Sequence, residues 1–205
     1  MGFYDEQVLP RIVNVLLGNK ECARMRARVA SGLSGAVLEV GFGSGLNVPH
    51  LPSTVTRLRA VDPATVGRRL AAERVAQSPV PIEFVGLDGQ DLPLDDDSVD
   101  CVLTTWTLCT IPDVARALGE MLRVLRPGGT LHFLEHGRSP DPAVARWQDR
   151  LTPIQRRIGG GCHLNRPIDA LIRDAGFQVG EVEHPTMRGP KTFGYMYEGI
   201  ATKPE

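Results

Sequence analysis

Val37-Leu38-Glu39-Val40-Gly41-Phe42-Gly43-Ser44-Gly45 is the stretch on which the reading of this chain turns. A short apolar, β-branched run with one acid inside it reads as a buried strand, and glycines at alternate positions read as the tight turn leaving its carboxyl end. Glycine suits such a turn because the backbone takes positive φ and passes close to a ligand, where a Cβ collides. In an open α/β sheet the crevice beyond this strand is the expected ligand site. The dinucleotide fingerprint G-x-G-x-x-G fails in both registers, because Leu46 or Val48 stands where the third glycine belongs. Pyrophosphate capture by the following helix is therefore disfavoured.

At 205 residues the length fits one domain, spanning 1–205. The 42% hydrophobic and 23% charged residues are values of a globular protein rather than a disordered one. A net charge of −1 without a long basic block gives no electrostatic case for nucleic acid or an anionic membrane. Cys22, Cys101, Cys109 and Cys162 lack C-x-x-C spacing, so reduced thiols in a cytoplasmic protein are expected, with no disulfide framework and no metal site. No apolar run is long enough to span a bilayer, so no integral membrane segment is expected.

From Phe3 to Ala30 the spacing of Val8, Leu9, Ile12, Val15 and Leu16, then Met25 and Val29, predicts two helices broken near Gly18-Asn19. Phe3 and Tyr4 are candidates to reach the crevice, a point on which the sequence pattern is silent. After the glycines, Leu46-Asn47-Val48 opens a short helix limited by Pro49 and Pro52. Thr56–Val61 is the second strand, ending at Asp62-Pro63. Asp62 lies about 20 residues beyond the first glycine, where nucleotide-binding units hold ribose hydroxyls; its other role is to cap a helix over 64–76. Ile82–Val85 is the third strand, followed by a loop through Asp88, Gly89 and Pro93. Asp95-Asp96-Asp97 reads as a solvated turn. Val99–Thr105 is the fourth strand, with its exit at Trp106–Pro112. A helix over 114–125 closes on Arg126-Pro127-Gly128-Gly129, and Thr130–Glu135 is the fifth strand. The last helix covers 168–175, and Phe177–Glu183 and Thr192–Ala201 close the chain as strands.

Acid-x-Gly-x-Gly-x-Gly at Glu39–Gly45 resembles the first motif of the class I S-adenosylmethionine (SAM) methyltransferases. Leu125-Arg126-Pro127-Gly128-Gly129-Thr130 resembles the small-molecule enzymes of quinone biosynthesis within that class. Glu135-His136, Leu108-Cys109-Thr110, Trp147-Gln148 and Gly161-Cys162-His163-Leu164-Asn165-Arg166 resemble the mammalian alkyl thiol S-methyltransferases, which have threonine where Asn165 stands. The resemblance implies an α/β, Rossmann-like sheet of seven strands, mostly parallel with the last antiparallel, and helices on both faces. It implies residues 1–32 as a helical lid and 33–205 as the catalytic core.

The implied cofactor is S-adenosyl-L-methionine, with S-adenosyl-L-homocysteine as product. Glu39 is then expected at the amino end of SAM, where a cation suits a carboxylate. Gly41, Gly43 and Gly45 form the turn, and Asn47 either bonds the methionine carboxylate or caps the turn. Asp62 with Pro63 belongs to the ribose, Asp88 and Gly89 to the adenine, and Thr105 and Leu108 to the wall between cofactor and acceptor. No Asn-Pro-Pro-Tyr or Asp-Pro-Pro-Tyr stands at this exit, which argues against N-methylases of nucleobases or release factors.

Thiol methylation needs a thiolate. His136, and His163 with Arg166, are the candidates for generating it; each is alternatively a structural group. Cys162 reads as a small buried thiol rather than a nucleophile. Trp106, Trp147 and Tyr195 read as walls or core. The function expected is methyl transfer to a small-molecule acceptor, a thiol or sulfide. The alternatives are N- or O-methylation of a phospholipid amine or quinol-like compound, and SAM binding without turnover. The oligomeric state is left open.

Overall fold

The computed structural model describes residues 4–205; the expectation for Phe3 lies outside them. Seven strands form one sheet: β1 (Gly35–Val40), β2 (Val55–Val61), β3 (Ile82–Gly86), β4 (Val99–Thr105), β5 (Leu125–His136), β6 (Gln178–Glu183) and β7 (Met196–Thr202). Their order is β3-β2-β1-β4-β5-β7-β6. β1 pairs in parallel with both β2 and β4, whereas β7 runs antiparallel to β5 and β6. The expected Rossmann-like sheet is therefore present, its antiparallel strand last in sequence but one place in from the edge. Chain order reverses between β1 and β4, and a crevice opens beyond the carboxyl ends of strands at such a point.

The alternation of side chains along the strands puts helices on both faces. Leu38, Val40 and Val102 pack with α4 (Val114–Val124) and α6 (Ile168–Asp174) on one side. Val37, Cys101 and Leu103 point the other way, towards α2 (Lys20–Ala30) and α3 (Thr65–Ala76). Burying each large aliphatic contributes about 1.5–3 kcal/mol, and both faces of β1 are filled, which explains its near-continuous apolar run.

At the front, a π-helical turn, Tyr4–Val8, leads into α1 (Leu9–Leu16). Asn19 then caps α2 by accepting from the Glu21 and Cys22 amides at 2.9 and 3.0 Å. Three expectations need correction. The stretch Pro142–Ile158 is a seventeen-residue helix, α5, not anticipated from the sequence. Thr192–Tyr195 does not begin a strand: Lys191–Gly194 is a helical turn, α7, held by the Met187 amide on the Gly194 carbonyl at 2.9 Å. Arg126–Gly129 does not close α4, which ends at Val124 with Leu125 already extended; it bulges from β5, whose register jumps between Val99–Leu125 and Cys101–Thr130.

Candidate active site

The crevice beyond β1 and β4 holds a cavity of about 340 Å³, within the range of small-molecule sites. The glycine turn forms its floor. Gly41 has φ +84°, and a Cβ there would overlap the Thr107 side chain. Gly43 has φ +55° and donates its amide to Asp62 Oδ2 at 2.7 Å. Asp62 Oδ1 accepts from the Ala64 amide at 2.7 Å, so this one carboxylate ties the turn after β1 to the start of α3. Burial raises its pKa, against the pull of those two amides. From α3, Gly67 meets the same turn backbone to backbone: a Cβ there would stand 2.6 Å from the Gly43 carbonyl oxygen.

Arg26 is the residue the sequence reading missed. It projects from α2 into the cavity wall, where it is the only cation among the described lining residues. Its guanidinium donates to Asn47 Oδ1 at 2.8 Å and Thr105 Oγ1 at 2.7 Å, and lies 4.6 Å from the centre of the Trp106 ring. Burial lowers its pKa to about 10. Beneath it, Asn47 donates to Glu39 Oε1 at 2.7 Å, while Glu39 Oε2 is buried without a partner. Burial pushes the Glu39 carboxyl up to about 8. A signal for Arg26 existed: Cys22, Met25, Arg26 and Val29 share one buried helical stripe, and the arginine occupies an apolar slot in it.

At the exit of β4, Trp106 takes φ +51°, an uncommon conformation for a bulky residue and a frequent companion of functional sites. The turn is fixed by Glu135 at the end of β5, which accepts from the Thr107 and Leu108 amides at 2.8 and 3.1 Å. Burial raises this carboxyl to about 7.

Of the expected cofactor residues, Gly41, Gly43, Asp62, Pro63, Asp88, Gly89 and Thr105 line the cavity. Four do not. Glu39 and Asn47 are each 1% exposed and hydrogen-bonded to one another under Arg26. Gly45 serves packing, since a Cβ there would lie 3.1 Å from Ala71 Cβ. Leu108 is fully buried in the core.

The candidate catalytic residues also sit behind the wall. Arg166 donates to the carbonyls of Leu108 and Pro112, bracing the β4 exit. His163 Nδ1 lies 3.2 Å from the Cys109 carbonyl, and the His163 amide donates to that same carbonyl at 2.8 Å. His136 Nε2 lies 3.1 Å from Cys162 Sγ, and its Nδ1 is buried without a partner.

The fold brings two of the four cysteines together. Cys109, His136 and Cys162 offer ligand atoms all within 4.8 Å of one another, and all three residues are buried. Nothing in the spacing of 109, 136 and 162 revealed this, because three separate segments converge only through the fold. Cys109 Sγ donates to the Trp106 carbonyl at 3.7 Å; the neighbouring Cys162 sulfur and burial raise the Cys109 thiol, while Cys109 and His136 lower Cys162.

The sheet order, the glycine turn, the acid at the end of β2 and the crevice between β1 and β4 define a class I SAM-dependent methyltransferase, and this chain belongs to that class. The profile of the family described as "Methyltransferase domain" matches residues 38–133. Among curated proteins, the chain is similar to human "Thiol S-methyltransferase TMT1B", with 35% identity over 159 residues, 75% of this chain and 65% of that protein. It is also similar to "Phosphatidylethanolamine N-methyltransferase" of Cereibacter sphaeroides, with 26% identity over 179 residues, 83% of each. The chain spans 62–65% of the length of the thiol S-methyltransferases it matches. Among solved structures, the [4+2]-cyclase SpnF shares the fold with TM-score 0.75 at 20% identity, covering 98% of this chain and 93% of that one. S-adenosyl-L-methionine is the cofactor of the class. Among the described residues, no helix is long and apolar enough to cross a membrane.

Proposed function

We propose that this chain transfers the methyl group of SAM to a small-molecule acceptor whose nucleophilic atom is a thiol sulfur. One observation carries the thiol: Cys109, His136 and Cys162, which belong to the segments resembling the alkyl thiol S-methyltransferases, meet at one point beside the cavity. SAM lies with its ribose on Asp62, its adenine along Asp88 and Gly89, and its carboxylate on Arg26. The reaction is an in-line displacement: the acceptor sulfur bonds the methyl carbon as the carbon–sulfonium bond breaks, leaving S-adenosyl-L-homocysteine. Alignment of the two reactants in the cavity supplies most of the acceleration, roughly 7–11 kcal/mol in well-oriented systems. Leu9, Pro10, Val13 and Leu17 line the cavity, and we assign the first 32 residues as its lid over a core formed by the remainder.

A second reading is favoured by the outer side of α1. Val15 and Leu16 are 73% and 63% exposed on the helix that borders the cavity, as an apolar lipid amine or quinol acceptor would prefer. The test is S-adenosyl-L-homocysteine release by purified protein over alkyl thiols, amines, phenols, quinols and phosphatidylethanolamine vesicles. Thiols are expected to turn over fastest. His136→Ala should lower that rate roughly 100-fold, as loss of a proton-handling group does, with SAM affinity unchanged because His136 is off the cavity wall. Turnover confined to lipids or quinols would replace the thiol. SAM binding without product from any acceptor would replace methyl transfer.

A further inference from the structure

We infer that Cys109, His136 and Cys162 form a binding site for a thiophilic divalent cation, zinc by preference, whose fourth position is taken by the acceptor thiol. The first part stands on the donor set alone; the second rests on the thiol reading above.

Two sulfurs and an imidazole nitrogen are donors that zinc selects, and its bonds of about 2.3 Å to sulfur and 2.0 Å to nitrogen put tetrahedral ligands roughly 3.5–3.8 Å apart. The three atoms here lie within 4.8 Å of one another, with His136 Nε2 and Cys162 Sγ at 3.1 Å, so small side-chain rotations suffice. The frame is already built. His136 ends β5, and Cys109 stands in the exit of β4 that Glu135 and Arg166 brace. Cys162 is tied to Cys109 through the adjacent His163 amide. Leu151 and Leu164 pack around the sulfurs and keep water out. Two thiolates balance the charge of a divalent ion, which makes the occupied site neutral and suited to burial.

Among the described residues the set holds three donors, and a tetrahedral ion with three protein ligands keeps one position for substrate. Thr110, next to Cys109, and Gly160, two residues before Cys162, line the cofactor cavity. An acceptor held there must pass between Thr110 and Gly160 to reach the open position. A thiol that coordinates zinc is deprotonated outright: the proton passes to solvent and the sulfur lone pair stays available. The sulfur then bonds the methyl carbon, the sulfonium electron pair returns to the departing S-adenosyl-L-homocysteine, and the neutral thioether, a poor ligand, leaves.

The test measures metal first and turnover second. Purified full-length protein, Cys109→Ser, Cys162→Ser and the double variant are dialysed with limiting zinc and assayed for bound metal. Circular dichroism and SAM titration serve as controls for folding. The wild type should retain one zinc per chain, and each variant should lose it while still binding SAM. With cobalt in place of zinc, the wild type should show the intense bands of a tetrahedral thiolate site, and a small alkyl thiol should strengthen the thiolate-to-cobalt charge transfer. A wild type that retains no more metal than the double variant overturns the site. A cobalt spectrum indifferent to the thiol overturns the acceptor as fourth ligand. Undiminished thiol methylation by chelator-stripped protein overturns the catalytic part and leaves thiol methylation standing. One bound zinc with no turnover of any thiol leaves the site in place and removes the acceptor from it.

Discussion

Arg26 brings a fixed positive charge to a cavity wall otherwise without one among the described residues, at the end where the glycine turn and Thr105 meet. A charge-assisted hydrogen bond contributes about 1.5–3 kcal/mol, or roughly 10- to 150-fold in affinity. Arg26→Ala should therefore weaken SAM and S-adenosyl-L-homocysteine by that factor in calorimetry. 5′-Methylthioadenosine, which lacks the amino-acid end, should bind wild type and variant alike; equal losses for all three would place Arg26 elsewhere on the nucleoside. The residue-scale logic also shows what a sequence conceals. Asp62 was legible because its distance from the first glycine is fixed by one β-α-β unit, and it does line the cavity. Arg26 was missed although helical phase carries it: it shares the buried stripe of Cys22, Met25 and Val29, while Arg24 and Arg28 face outwards. Glu39 kept its place near the end of β1, with Asn47 on one of its oxygens and the other buried without a partner.

At the scale of elements, two glycines in helices separate packing from propensity. Gly67 sits in the first turns of α3 against the Gly43 carbonyl, a backbone neighbour with no rotamer to yield. Alanine gains up to about 1 kcal/mol of helix propensity there, but the overlap costs about 1–3 kcal/mol, so the clash wins. Gly67→Ala should unfold at lower urea and bind SAM more weakly, because α3 must lift from the turn that holds the cofactor. Gly119, within α4, is exposed with nothing within 4 Å of a Cβ. Gly119→Ala should raise stability by about 0.5–1 kcal/mol, read as a higher urea midpoint at unchanged slope. The strands and the helices packed between them were legible because both faces of the central sheet are filled and leave apolar runs. Helix α5 was not: Pro153 interrupts its pattern, although Asp141-Pro142, an N-cap followed by proline, marked its start. Thr192-Phe193-Gly194-Tyr195 has the composition of a strand, but Gly194 packs so closely on the Met187 carbonyl that a local turn outweighs propensity.

For the whole molecule, a net charge of −1 leaves little self-repulsion, so the pH dependence of stability is set by individual groups. The unusual ones surround the crevice. Burial raises Glu39 from 4.5 to about 8 and Glu135 from 4.5 to about 7, and it also raises Asp62. Between the ordinary carboxylate range and those values the folded chain binds more protons than the unfolded chain, so stability falls as pH rises through that window. The contribution is complete below 4.5 and gone once pH passes about 8 for Glu39. Glu120 works in the opposite sense: Arg123 lowers it to about 2, and its contribution is lost as pH falls from 4.5 towards that value. The pair is partly exposed to solvent, Glu120 at 21% and Arg123 at 31%, so screening weakens it. Cys162, lowered to about 4 beside Cys109, and the lowered His132 act in the opposite sense across the same window, so Glu39 is read from the difference between wild type and variant in urea melts at fixed ionic strength. Glu39→Gln, which keeps the hydrogen bond to Asn47 while removing the charge, should gain stability relative to the wild type as pH rises from 5 to 8, most at the alkaline end. A difference between variant and wild type that stays constant from pH 5 to pH 8 would mean that Glu39 is ionised in the folded chain, drawn down by Arg26 across the Asn47 bridge.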